Sequence, residues 1–140
     1  MAKTGPIILV EDDEDDIDLL REAIKDNDIP NRLVFFLNGP DALQYLRTTT
    51  DQPFLIICDV NLPRQNGIEF KTTIDTDPYL RKKSIPFIFY STYVSQYAVN
   101  EAYNNLTVQG FFQKNDSYLE FKNIVKSIIE YWSLCRHPNN

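Results

Sequence analysis

Five short apolar runs constrain what this chain can fold into: Ile7-Ile8-Leu9-Val10, Leu33-Val34-Phe35-Phe36-Leu37, Phe54-Leu55-Ile56-Ile57-Cys58, Phe87-Ile88-Phe89-Tyr90 and Val108-Gln109-Gly110-Phe111-Phe112. Each has the length of a β-strand, and four of the five are nearly continuous in apolar character, the pattern of strands covered on both faces. The stretches between them carry helical periodicity. Ile17, Leu20 and Ile24 share one face, and Ala42, Leu43, Tyr45 and Leu46 mark a short helix that starts near Asn38-Gly39-Pro40 with Asp41 in its first turn. A third helix is expected over 67–76, closed by Asp77-Pro78, and a fourth over 94–105. A fifth, 116–134, places Phe121, Ile124, Val125, Ile128 and Trp132 on one stripe. Strands alternating with helices predict an α/β fold with a parallel sheet. Right-handed crossovers then leave few topologies, among them the flavodoxin-like, doubly wound (βα)5 arrangement with strand order 2-1-3-4-5.

Composition bounds what such a fold can be used for. With 140 residues, 43% apolar, there is a core for about one domain. It is expected over 6–134, with 1–5 and 135–140 as short tails. The 14 basic against 20 acidic residues leave a net charge of −6, the wrong sign for neutralising nucleic-acid phosphates. No apolar run approaches the roughly 20 residues of a membrane span, and no signal-peptide core follows Met1, so a cytoplasmic protein is expected. Cys58 and Cys135 lack metal-site spacing and read as reduced thiols, and His137 reads as an inert member of a polar tail.

The predicted strand order gathers residues that lie far apart in the chain. In open α/β sheets ligands bind beyond the carboxyl ends of the strands, where strand order reverses. Glu11-Asp12-Asp13 follow the first strand, Asp59 the third, Ser91 the fourth and Lys114 the fifth. Glu11, Asp12 and Asp59 crowded at one rim repel one another, and a hard divalent cation is their natural counter-charge. Magnesium suits them, because it takes one or two carboxylates, keeps several waters and binds phosphate oxygens. Asp59 can then act as a nucleophile towards phosphorus while Lys114 and the metal neutralise the transferring group. Asp13, Asp15 and Asp16 read as a solvated acidic helix start, and Asn66-Gly67 as turn chemistry.

Four motifs carry a resemblance to a known family: Val10-Glu11-Asp12-Asp13, Asp59-Val60-Asn61-Leu62-Pro63-Arg64-Gln65-Asn66-Gly67, Ser91-Thr92 and Gly110-Phe111-Phe112-Gln113-Lys114. In that order, and over about residues 6–134, they resemble the response-regulator receiver domain of two-component signalling. Asp77-Pro78-Tyr79-Leu80, Ile85-Pro86 and Ile128-Ile129-Glu130-Tyr131-Trp132 are similar to stand-alone receivers associated with bacterial phytochrome kinases. The resemblance implies that Asp59 is the phosphoacceptor, Asp12 a direct metal ligand and Glu11 an acid that holds the metal through water. Asn61 would lend its backbone carbonyl to the metal. Ser91 is implied as the switch hydroxyl, Lys114 as the lysine that pairs with the phosphoryl group, and Phe111 as the aromatic that turns inward with the hydroxyl.

Two positions depart from the family pattern. Lys114 is followed by Asn115-Asp116 where the family usually has a proline in cis, and Ser91 by Thr92-Tyr93 where the first residue is commonly small. Asn115 can instead begin the capping of the last helix. The implied partners are a sensor histidine kinase or phosphotransfer protein, and a downstream protein target. No output domain fits in the chain. A homodimer through the fourth helix, fifth strand and fifth helix is a further expectation, since Tyr131, Trp132, Leu134 and Cys135 lie on turns that overhang the sheet. The rival readings are a magnesium-dependent phosphohydrolase, which resembles Asp-x-Asp where this chain has Asn61, and a flavin carrier, which needs a phosphate-cradling loop where this chain has Glu11-Asp12-Asp13. A degenerate receiver that is never phosphorylated is the third, and the intact Asp12, Asp59 and Lys114 argue against it.

Overall fold

Strand residues alternate between two apolar layers, and that alternation builds the molecule. The computed structural model describes residues 2–92 and 95–138. Its sheet has five strands, β1 (Ile7–Val10), β2 (Leu33–Phe36), β3 (Leu55–Cys58), β4 (Phe87–Ser91) and β5 (Gly110–Gln113), in the order β2-β1-β3-β4-β5. All four pairings are parallel. Ile7 and Leu9 of β1, Leu55 and Ile57 of β3 and Ile88 of β4 point to one face, where α1 (Glu14–Asp26) and α6 (Tyr118–Leu134) cover them with Ile17, Leu20, Ile24, Phe121, Val125 and Ile129. Ile8, Val10, Ile56, Cys58, Phe87 and Phe89 point to the other. There α2 (Gly39–Thr48), α3 (Gly67–Thr76), the short α4 (Pro78–Lys82) and α5 (Gln96–Asn105) supply Leu43, Leu46, Phe70, Ile74, Leu80 and Ala102. Strands buried on both faces need apolar residues at every position, which is why the runs are continuous.

The helix starts are fixed by side chains that accept the orphan N–H groups of the first turn. Asp13 caps α1 by accepting from Asp15, Asn38 caps α2 ahead of Pro40, and Ser117 caps α6 by accepting from the Glu120 N–H. Asn115 stands two residues back and accepts from the Ser117 N–H at 3.0 Å, so it supports the cap expected of it without forming it. Asn66 and Glu69 form a reciprocal capping box at α3. Asp77 ends α3 and also caps α4, a helix absent from the sequence reading. The expected fourth and fifth helices are thus α5 and α6. Tyr93, and the expected helix start at Val94, lie outside the described residues. No peptide bond is cis among the described residues, including Lys114-Asn115.

Two buried polar features were not anticipated. Lys71 and Asp75, one turn apart on α3, pair at 3.0 Å with side chains only 4% and 8% exposed. Asp75 also accepts from the N–H (2.9 Å) and hydroxyl (2.7 Å) of Thr107, which fastens α3 to the segment leading into β5. His137, expected in a polar tail, is buried at 2% exposure. Its ring stacks on Phe54, and Nε2 donates to the Phe54 carbonyl at 2.9 Å. The C-terminal segment is packed here because an imidazole satisfies a strand-end carbonyl and covers an aromatic face in one contact.

Gly67 also has a role beyond turn chemistry. A Cβ at this position would lie 2.2 Å from the Asp59 carbonyl oxygen and 2.9 Å from the Val60 Cα. Only a bare backbone lets α3 begin this close to β3. Gly67→Ala is expected to destabilise the protein by about 1–3 kcal/mol in urea unfolding; unchanged stability would show that α3 shifts without cost.

Candidate functional site

The parallel sheet brings four strand ends to one rim, and hydrogen bonds that prolong the ladders hold the key residues there. The Asp59 N–H donates to Val10 at 3.0 Å, Glu11 to Phe36 at 2.9 Å and Lys114 to Ser91 at 2.7 Å. The side chains of Glu11, Asp59, Ser91 and Lys114 therefore project from positions set by backbone pairing rather than by loose loops.

Asp59 is 7% exposed and fully partnered. Oδ1 accepts from the Ser91 hydroxyl at 2.6 Å and from the Asn61 N–H at 3.1 Å, while Oδ2 accepts from Lys114 Nζ at 3.0 Å. Ser91 is wholly buried, and its Oγ accepts in turn from the Asn61 side-chain amide at 3.3 Å. Asn61 thus meets the site through its backbone N–H and its side-chain amide, groups other than the backbone carbonyl expected to serve a metal. Lys114 Nζ lies 2.5 Å from Glu11, 2.7 Å from Asp16 and 3.0 Å from Asp59. Glu11 Oε2 accepts from the Asp12 N–H at 3.2 Å.

Asp16 is a correction to the sequence reading, which put it with the solvated acids. It stands four residues before Leu20, at the edge of the buried stripe of α1, and its carboxylate reaches the lysine. That spacing was the available signal. Asp15 is exposed, and Asp13 is spent on the helix cap. Phe111 is half buried against Phe89, with ring centroids 5.3 Å apart, in the apolar layer that α5 helps to cover.

The electrostatics follow from burial. Desolvation pushes the Glu11 carboxyl up to about 8, against the pull of Lys114 and with added repulsion from Asp59. Burial would also raise Asp59, but hydrogen bonds from Ser91 and the Asn61 N–H, and the charge of Lys114, more than offset it and hold the carboxyl below its usual range. Burial disfavours the Lys114 ammonium, yet its contacts with Asp16, Glu11 and Asp59 prevail and raise it. Glu11, Asp12 and Asp59 each offer an oxygen, all within 4.8 Å of one another. An all-oxygen donor set of this charge and spacing fits a hard divalent cation. Among the described residues no helix is long and apolar enough to cross a membrane.

Comparison with known proteins agrees with this geometry. Residues 7–126 match the response regulator receiver domain. Response regulator Rcp1 of Synechocystis sp. is 28% identical over 131 residues, which cover 90% of this chain and 87% of that protein. The crystal structure of the phosphorylated cyanobacterial phytochrome response regulator RcpA superposes with a TM-score of 0.85 at 32% identity, covering 96% of this chain and 98% of that one. The Mn(2+)-bound form of Rcp1 gives a TM-score of 0.83 at 27% identity, covering 96% and 99%. With the doubly wound sheet and the acidic rim already in place, these matches make the chain a member of the response regulator receiver domain family, a signalling module of two-component systems similar to the stand-alone regulators associated with phytochromes.

Proposed function

We propose that the protein accepts a phosphoryl group on Asp59 from a sensor histidine kinase or phosphotransfer protein and passes the signal to a downstream protein through a change of shape. The observation that carries this reading is the pair of contacts on Asp59, with Ser91 on one oxygen and Lys114 on the other. The Asp59 carboxylate attacks phosphorus; a P–O bond forms as the donor's P–N bond breaks, and the electron pair leaves with the donor imidazole, which takes up a proton. Lys114 offsets the charge on the transferring oxygens. Asp12, Asp59 and the backbone carbonyl of Asn61, with Glu11 acting through water, would hold a magnesium ion, which would supply further positive charge to the transfer.

The product adds about −1.5 to −2 charge and three strong acceptor oxygens. The Ser91 hydroxyl and Lys114 ammonium, both now on Asp59, can transfer their hydrogen bonds to those oxygens. Phe111 of β5 packs on Phe89 in the layer that α5 helps to cover, and is the residue through which a change at the rim would reach α5. On the opposite face of the sheet, β5 and α6 border an apolar groove of about 580 Å³, lined by Phe112, Ile124, Ile128, Tyr131 and Trp132. Tyr131 is 61% and Leu134 88% exposed. This groove between β5 and α6, together with exposed Tyr97 and Tyr103 of α5, suits a protein partner, including a second copy of the chain.

Intact mass after incubation with acetyl phosphate and magnesium is expected to show one phosphoryl addition, lost when magnesium is omitted and absent in Asp59→Asn; full labelling of that variant would remove the assignment. A second expectation concerns pH. Because the Glu11 carboxyl is raised, the folded state holds a proton that the unfolded chain releases, so this contribution to stability is lost as pH rises towards about 8. Melts of the metal-free protein should weaken progressively between about pH 4.5 and 8, and magnesium should offset the loss. A third is a phosphorylation-strengthened homodimer, to be followed by light scattering and weakened by Tyr131→Asp. A monomer at high concentration with and without beryllofluoride would leave that face to a different partner.

A further inference from the structure

Lys114 brings three N–H groups to the site, and each has its own carboxylate. Glu11 Oε1 lies at 2.5 Å, Asp16 Oδ2 at 2.7 Å and Asp59 Oδ2 at 3.0 Å. Two of these, Glu11 and Asp59, belong to the oxygen cluster that fits a cation, and Asp59 is also the proposed nucleophile. Asp16 is outside that cluster. It sits in the first turn of α1, on a helix anchored to the core by Ile17 and Leu20. Lysine is a point charge on a flexible four-carbon stem, so it must be located by its partners. Once Glu11 and Asp59 are shared with a cation and a phosphoryl group, Asp16 is the contact that remains.

We propose that Asp16 is a positioning residue: it holds the Lys114 ammonium beside Asp59 while the other two carboxylates are engaged, and so sets the rate at which Asp59 takes up a phosphoryl group. This rests on Asp59 being the phosphoacceptor. Asp16 touches neither donor nor phosphoryl group and acts only through Lys114. Its neighbour Asp15 carries the same formal charge on the same helix turn, but is exposed and removed from the ammonium. The pair therefore separates a defined contact from the general effect of an acidic helix start.

The test measures magnesium-dependent labelling by acetyl phosphate. Asp16→Ala should be slower by about tenfold, the size of one hydrogen bond between charged partners. Asp16→Asn keeps an acceptor oxygen and should recover most of the rate, while Asp15→Ala should match the parent. In a Lys114→Ala background, Asp16→Ala should cost nothing further. A readout independent of the loaded site is the side-chain NMR signal of Lys114 in metal-free protein, which should broaden in Asp16→Ala and persist in Asp15→Ala. Parent-like labelling by Asp16→Ala, an equal loss in Asp15→Ala, or a further loss without Lys114 would each overturn the proposal. If Asp59→Asn still labels, the phosphoacceptor reading falls and the proposal with it; if only the position-16 variants behave unexpectedly, that reading stands and the role of Asp16 alone is lost.

Discussion

Three carboxylates closing on one buried ammonium hold the functional rim of this protein together. Lys114, after β5, reaches Glu11 after β1, Asp16 on α1 and Asp59 after β3, so a single cation ties four parts of the chain across the sheet. The side chains of Lys114, Glu11 and Asp59 are no more than 8% exposed. Charges removed from water are tolerated only when paired and hydrogen-bonded. Moving any one of them out of register would strand the rest. The site is therefore balanced rather than relaxed, with more carboxylates than the one ammonium can neutralise.

The remainder of the fold serves to hold that balance in place. Alternating strand side chains fill two separate apolar layers, and each layer anchors helices whose caps begin near the rim. Gly67 lets α3 start directly against Asp59, and the Asn66-Glu69 capping box fixes where that start occurs. Away from the rim, the Lys71-Asp75-Thr107 cluster fastens α3 to the approach to β5. Burial lowers the Lys71 ammonium, while hydrogen bonds from Thr107 and the charge of Lys71 overcome burial to hold Asp75 low. It is a second ion pair whose partners cannot be separated cheaply.

Much of this was legible in the sequence because it rests on local pattern. The five runs predicted the strands, although β5 is displaced to Gly110–Gln113 from the expected 108–112. Gln109 instead pairs with Phe87 through both its backbone and its side chain, donating from its N–H and accepting at Oε1. Asn38-Gly39-Pro40 and residues 67–76 marked helices at their true positions, because caps and proline act over three or four residues. The convergence of Glu11, Asp12, Asp59, Ser91 and Lys114 followed from strand order alone. What pattern could not separate were residues alike in sequence and unlike in burial. Asp15 and Asp16 are adjacent aspartates, and only one meets the lysine. Lys71 and Asp75 have the spacing of a solvated helical pair and are buried. His137 lies among polar residues and is stacked on Phe54.

The sequence by itself therefore determined the α/β class, the order of the strands and of every helix but the short α4, and the set of acids, hydroxyl and lysine at the strand ends. Apolar periodicity, capping chemistry and the rule that strand ends meet at one rim are all properties of the chain read locally. Only the tertiary structure decided which polar groups are enclosed and with whom they pair: Asp16 on Lys114, Asn61 on Ser91, Asp75 on Thr107 and His137 on Phe54. Those choices depend on the direction of a side chain and on the depth of the surface above it. Both arise when helices pack over the sheet, and the strength of a charged contact changes several-fold with that depth.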